Sequence, residues 1–298
     1  MGEAAWLRGG FLSAPAGKNP ALAKFERRAM EAGTLVCVGL DPDLARLPER
    51  WQGLEHPLFA FNKWIIDETA PFAAAYKPNM AFYEARGVVG LRELELTAEY
   101  LRERYPEMLT ICDAKRGDIG STNRGYVASI FDGMGFDAIT LHPYLGREAL
   151  MPFLERAEKL SILLCRTSNP GAGELQDLMV DGKPLWEYVA GHVAGEWNEH
   201  GNCMLVVGAT YPEEMRRIRA VAPELSFLVP GVGAQGGDVD AVVGAGVHED
   251  GAGLIISSSR AILYASDPAA AAKALRDEIR TAQARASRTD GELQHAAH

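Results

Sequence analysis

The sequence predicts a single-domain (β/α)8 TIM barrel, an α/β fold, on three observations. Eight short apolar runs recur along the chain, each followed by a stretch whose apolar residues carry helical spacing. Together they take up about 250 residues, the usual span of that architecture. The runs are apolar throughout rather than alternating, as strands buried on both faces are. A doubly wound open sheet is the competing architecture. It wants fewer strands and an early glycine-rich turn, and no G-x-G-x-x-G follows the first run.

Residues 1–18 show neither period and are read as an extension; the barrel is assigned to 19–283. Asn19-Pro20 is a cap followed by a first-turn proline, opening a helix through Leu22, Phe25 and Ala29 that stops at Gly33. Thr34–Leu40 is the first strand, ending in Asp41-Pro42-Asp43, and Leu58, Phe61 and Ile65 mark the next helix. Ala73–Tyr76 is the second strand and runs into Lys77-Pro78-Asn79. Leu91, Leu94, Ala98 and Leu101 form one stripe of a helix that stops before Pro106.

Leu109–Cys112 is the third strand, with a helix over 121–134 behind it. Asp137–Leu141 is the fourth, leading to His142-Pro143-Tyr144 and a helix through Leu150, Phe153, Leu154 and Ala157. Ser161–Cys165, the fifth, ends in Arg166-Thr167-Ser168-Asn169-Pro170-Gly171. A longer loop then leads to a helix starting near Pro184, with Leu185, Val189, Val193 and Trp197 on one side. Met204–Gly208 is the sixth strand, before a helix that starts at Pro212-Glu213-Glu214 with acidic residues at its positive end. Leu225–Val229, the seventh, ends in Pro230-Gly231-Val232-Gly233, ahead of a short helix marked by Val239, Val242 and Val243. Gly253–Ile256 is the eighth and ends in Ser257-Ser258-Ser259-Arg260. Asp267-Pro268 caps a last helix through Leu275 and Ile279, and residues 284–298, polar and aperiodic, are expected to be a disordered tail.

Composition narrows the function classes. A formal charge of −10 argues against nucleic acid or an anionic membrane as the main partner, while leaving room for a small anion at a local basic site. The N-terminus lacks a basic region followed by an apolar core, and no run of about 18 apolar residues offers a membrane span. Cys37, Cys112, Cys165 and Cys203 fall in or beside different strands without a C-x-x-C pair. They read as buried small hydrophobes of a reducing cytoplasm, and no metal centre is expected. The histidines show no metal-ligand spacing.

The chemistry gathers at C-terminal strand ends, which in a barrel converge on one mouth. In Asp113-Ala114-Lys115-Arg116-Gly117-Asp118 strand alternation sends Asp113 and Lys115 to one face, with Asp118 beyond Gly117 in a loop. Burying such charges costs several kcal/mol per ion, by rough estimate, unless they are paired. Three of them at a strand end therefore read as a site, the alternative for any one pair being a surface salt bridge. Asp41, Lys77, Thr167 with Ser168, and Arg260 end other strands. The glycine-rich loop 230–237 offers bare backbone N–H groups, and Ser257–Arg260 adds hydroxyls and a guanidinium suited to phosphate oxygens. Neighbouring Asp and Lys hold one another charged, leaving Lys115 an ammonium able to donate a proton.

At this point the chain resembles the orotidine 5′-monophosphate decarboxylase family, over about residues 20–280. Asp113-Ala114-Lys115-Arg116-Gly117-Asp118-Ile119-Gly120-Ser121-Thr122 matches its D-x-K-x-x-D-I-G-x-T signature. Val38–Asp43, Tyr76–Asn79, Thr140–Tyr144, Thr167–Pro170 and Pro230–Gly233 are similar to its longer-chain bacterial branch. The resemblance implies loss of CO₂ from orotidine monophosphate to give uridine monophosphate, with no cofactor and no metal. It implies a catalytic network of Lys77, Asp113, Lys115 and Asp118, with Lys115 as proton donor and Asp113 against the departing carboxylate. Lys77 and Asp41 would hold the ribose, Ser168 the pyrimidine edge, and Gly233, Gln235 and Arg260 the phosphate. It further implies a homodimer in which Asp118 and Thr122 complete the neighbouring subunit's site.

Three rivals remain open from the residues alone. A relative in the same barrel suprafamily would act on a sugar phosphate with Mg²⁺. A non-catalytic barrel would only bind a phosphate ligand. An isomerase or epimerase would want one general base rather than paired Asp and Lys.

Overall fold

The computed structural model describes residues 19–232 and 237–296, those from 288 on as backbone only. The extension 1–18 lies outside the described residues, as do Gly233 and Gln235. Eight parallel strands close into a barrel: β1 Val36–Gly39, β2 Ala75–Lys77, β3 Leu109–Arg116, β4 Ala138–Leu141, β5 Leu160–Arg166, β6 Cys203–Val207, β7 Phe227–Pro230 and β8 Leu254–Ser258. Closure is made by β1, which pairs with both β2 and β8. Every residue of β1, β2, β4, β6 and β8 is buried, which is why these segments are mostly apolar, with the polar exceptions Lys77, Thr140, Ser257 and Ser258 at or near their C-terminal ends.

Local chemistry sets the helix ends. The Asn19 side chain accepts from Leu22 N at 3.0 Å and donates to Ala157 and Lys159 carbonyls, so this cap also fastens the first helix to the chain ahead of β5. That helix, Pro20–Ala32, ends on Gly33 at φ 58°, the left-handed stop a glycine supplies. The helix behind β3 is α-helical over Gly120–Val127 and widens to π over Ala128–Gly133. The helix after β5 ends at Ala194 before Gly195, short of Trp197, although that indole still packs on the core.

Two findings depart from the sequence reading. The long loop after β5 contains an antiparallel hairpin, Met179–Val180 against Lys183–Pro184. Its turn is Asp181-Gly182, both at positive φ (50° and 79°), the pairing two-residue hairpins favour. The last helix runs Pro268–Ala296, through the stretch expected to be a disordered tail from 284. Alanine is the commonest residue there and no proline interrupts the stretch, so a helix already nucleated on the core continues through it. Among the described residues no helix is long and apolar enough to cross a membrane.

Candidate active site

The strand ends enclose a cavity of about 380 Å³ at the C-terminal mouth. Asp41, Lys77, Asp113, Lys115, Ser168 and Arg260, taken from five strands or the loops that follow them, all line it. Register explains part of this convergence. Gly39 lies level with Lys77, and Val38 with Ser258, so the ends of β2 and β8 flank the exit of β1.

Asp113 is the hub. Its Oδ2 accepts from Lys77 Nζ at 2.8 Å, and its Oδ1 accepts from Lys115 Nζ at 2.6 Å and Thr140 Oγ1 at 2.8 Å. Burial alone would push the Asp113 carboxyl up; the ammonium of Lys77, then that of Lys115, reverses this and holds it well below the usual carboxylate range. Burial works against the Lys77 ammonium in the same way, but Asp113 and Asp41 hold it above the ordinary lysine value. The two lysines differ in access. The Lys77 side chain is 7% exposed, that of Lys115 48%, so Lys115 is the more accessible of the two ammonium groups that line the cavity.

The backbone of Lys115 is not that of a regular strand. It sits at φ 48°, in the left-handed region, where the β3–β4 register shifts between Cys112 and Arg116. Such a conformation costs about 1–3 kcal/mol and persists only where its surroundings hold it. Here Thr140 Oγ1 accepts from Lys115 N at 2.9 Å, taking up the amide that leaves the ladder. Thr140 is thus a site residue without an assigned role in the sequence reading, though a hydroxyl within the apolar run 138–141 was a visible signal. Asn79 is another: its N donates to Asp41 Oδ1 at 2.9 Å and fixes that carboxylate at the rim.

Asp118 and Thr122 do not line this chain's cavity. Their loop is pinned: Asn123 Oδ1 accepts from Asp118 N at 3.0 Å, and His142 Nε2 lies 2.8 Å from Gly117 O. Thr122 stands exposed on the first turn of the helix behind β3. The four cysteines are free and buried, Cys37 and Cys112 with thiols pushed up to about 12 by burial. Among the described residues no group of three His, Cys, Asp or Glu side chains is arranged to hold a metal.

Residues 34–275 match the model of the orotidine 5′-phosphate decarboxylase / HUMPS family, a span that takes in all eight strands and every residue around the cavity. The chain belongs to this family. An orotidine 5′-phosphate decarboxylase from Cellvibrio japonicus is 49% identical over 272 residues, covering 88% of this chain and 99% of that one. Among solved structures, the OMP decarboxylase of Leishmania donovani superposes with a TM-score of 0.81 at 39% identity, covering 89% of this chain and 99% of its own. The UMP synthase of the same organism gives a TM-score of 0.81 at 41% identity over 88% of this chain, which spans 56% of that protein's length.

Proposed function

We propose that the chain removes CO₂ from orotidine 5′-monophosphate to give uridine 5′-monophosphate, with no cofactor or metal. The observation that carries the reading is a single buried carboxylate, Asp113, holding two ammonium groups that both line the cavity, of which Lys115 is the more exposed. The bond from the pyrimidine ring to its carboxylate breaks, CO₂ leaves, and the electron pair stays on the ring carbon. Lys115 stabilises that charge and gives the carbon its proton, then regains one from water. Asp113 holds Lys115 in place and crowds the departing carboxylate. At an effective dielectric near 20, charges about 4 Å apart interact by roughly 4 kcal/mol, a useful part of the ~8–23 kcal/mol enzymes supply.

Lys77 and Asp41 hold the ribose hydroxyls, and Ser168 meets the pyrimidine edge. Arg260 grips the phosphate with Gly233 and Gln235. Phosphate contact is remote from the reacting bond, so its binding energy can be used to orient and desolvate the ring. Asp118 and Thr122, exposed to solvent or half-buried outside their own cavity, reach the site of a second copy in a homodimer. Four buried free thiols suit a reducing cytoplasm.

The test is the loss of ultraviolet absorbance of orotidine monophosphate on adding purified protein, with and without EDTA. Turnover undiminished by chelator is expected. Activity lost with EDTA and restored by Mg²⁺ would transfer the case to a sugar-phosphate enzyme of the same suprafamily.

A further inference from the structure

Between β5 and the helix Leu185–Ala194 the chain makes an excursion built from helical turns over Pro170–Ala172 and Gly173–Gln176 and the Asp181-Gly182 hairpin. Its leading residues, Thr167 and Ser168, line the cavity. A backbone N–H beyond the end of a strand has lost its ladder partner and needs another. Here a side chain from the excursion supplies it. Gln176 Oε1 accepts from Thr167 N at 2.9 Å, and Gln176 Nε2 donates to Thr167 Oγ1 at 2.8 Å. The same hydroxyl donates onward to Asn169 Oδ1 at 2.6 Å. One amide, used at both ends, therefore fixes the main chain and the side chain of the residue before Ser168.

The surroundings make this a clamp between two rigid parts. Next to Gln176, Asp177 Oδ1 lies 3.2 Å from Nη1 of the buried Arg166, whose guanidinium stacks 3.9 Å over the Tyr211 ring. On its other side Ser168 is pressed against Gly208, where an added Cβ would fall 2.9 Å from both Ser168 Cβ and Ser168 N. Gln176 does not itself line the cavity.

We propose that Gln176 is a positioning residue for recognition of the base: by holding Thr167 at its amide and its hydroxyl, it sets where Ser168 stands at the cavity edge. The inference rests on the reading in which Ser168 meets the pyrimidine. Its consequence is selective, because Arg260 follows β8, three strands away around the barrel. Releasing the clamp weakens the hold on the base and leaves the hold on phosphate alone.

The experiment compares the Kd of uridine monophosphate with that of ribose 5-phosphate, which lacks the base, in wild type, Gln176→Leu, Thr167→Val and the double variant. Gln176→Leu is expected to weaken the nucleotide about tenfold, the scale of roughly one lost hydrogen bond, and to leave ribose 5-phosphate within about twofold. The double variant is expected to be no worse than Gln176→Leu, since the amide acts through Thr167. Equal losses for both ligands, no loss for either, or additive effects in the double variant would overturn the proposal. Should Gln176→Leu fail to fold, Gln176→Met, unbranched and similar in volume, carries the same comparison. A wild-type chain that neither turns over orotidine monophosphate nor binds the product overturns both readings; one that does, with Gln176→Leu unmoved, overturns this one alone.

Discussion

Asp113 Oδ2 and Lys77 Nζ form an ion pair of 2.8 Å, with the two side chains 10% and 7% exposed. Neither charge can be removed cleanly, since each is largely buried and compensates the other. Asp113→Asn takes from the buried Lys77 ammonium the carboxylate that contacts it and leaves only the more remote Asp41, and breaking such a buried pair typically costs about 3–5 kcal/mol. A drop of that size in urea-unfolding stability is expected, together with loss of turnover. Stability within about 0.5 kcal/mol of wild type would show that the pair is not held as described.

The same pair fixes how stability depends on pH. Asp113 has a folded value below its unfolded one of ~3.9, so its contribution is present above that pH and is lost as pH falls through the folded value. Lys77 is shifted the other way, above ~10.4, so its contribution is full below that pH and is lost as pH rises through the folded value. The network is therefore expected to stabilise evenly between about pH 4 and pH 10 and to weaken at both extremes. Urea midpoints across pH, in wild type and in Asp113→Asn with Lys77→Met, check this. The doubly substituted chain should lose the network's slope at either end.

Much of this site was legible because of where a barrel puts things. Asp41, Lys77, Asp113, Lys115, Ser168 and Arg260 each follow an apolar run, and a closed parallel sheet leaves their strand ends only one mouth to share. What the sequence hid is what depends on backbone detail. Strict alternation puts Lys115 and Asp113 on one face, yet the chain reaches that outcome through a left-handed residue and a shifted register, which no periodicity announces. Thr140 has its role only because of that irregularity. The Asp181-Gly182 hairpin was readable from its dipeptide, but its flanking strands are too short to show a pattern. The final helix outran its apolar stripe because polar contacts, Gln283 to the Gly251 carbonyl and Arg285 to Asp240, continue to tie it down where the apolar ones stop.

Thr140→Val tests whether the irregular backbone of Lys115 matters to the chemistry. The substitution keeps the shape but removes the hydroxyl that donates to Asp113 and accepts from Lys115 N. An N–H left without a partner costs up to about 1–3 kcal/mol when shielded from water, and relaxation of Lys115 away from φ 48° would relieve it. The expected result is a fall in kcat of about tenfold or more with KM changed little, since displacing the proposed proton donor affects the chemical step rather than ligand capture. Unchanged kcat would mean that Lys115 finds its place without Thr140.

Gly39→Ala probes the seam between β1 and the loop after β8. A Cβ there would lie 2.7 Å from Ser259 Cβ and 3.3 Å from Asp41 Oδ2, so the segment leading to Arg260 has to shift. KM is expected to rise about tenfold or more, with kcat at saturation less affected, because the phosphate grip moves and the Lys115 cluster does not. Gly53→Ala is the control: nothing lies within 4 Å of its added Cβ, and its φ of −87° suits any residue. Its kinetics should match wild type.

The site proposed to be shared between two copies predicts complementation between inactive subunits. In the proposed mechanism Lys115→Ala lacks the proton donor in its own cavity, and Asp118→Asn lacks the carboxylate lent to its neighbour's. Each homodimer is expected to be inactive. In a mixed dimer one cavity combines Lys115 from one subunit with Asp118 from the other, both native, while the second cavity carries both defects. Random exchange of equal amounts makes about half the dimers mixed, each with one working site, so about a quarter of wild-type activity should return. Dilution and re-concentration of the mixture, with exchange followed by differently tagged chains, supplies the measurement. Exchange without any recovery would mean that Asp118 serves its own chain, and the pinned loop from Gly117 to Asn123 would then have to open for it to do so.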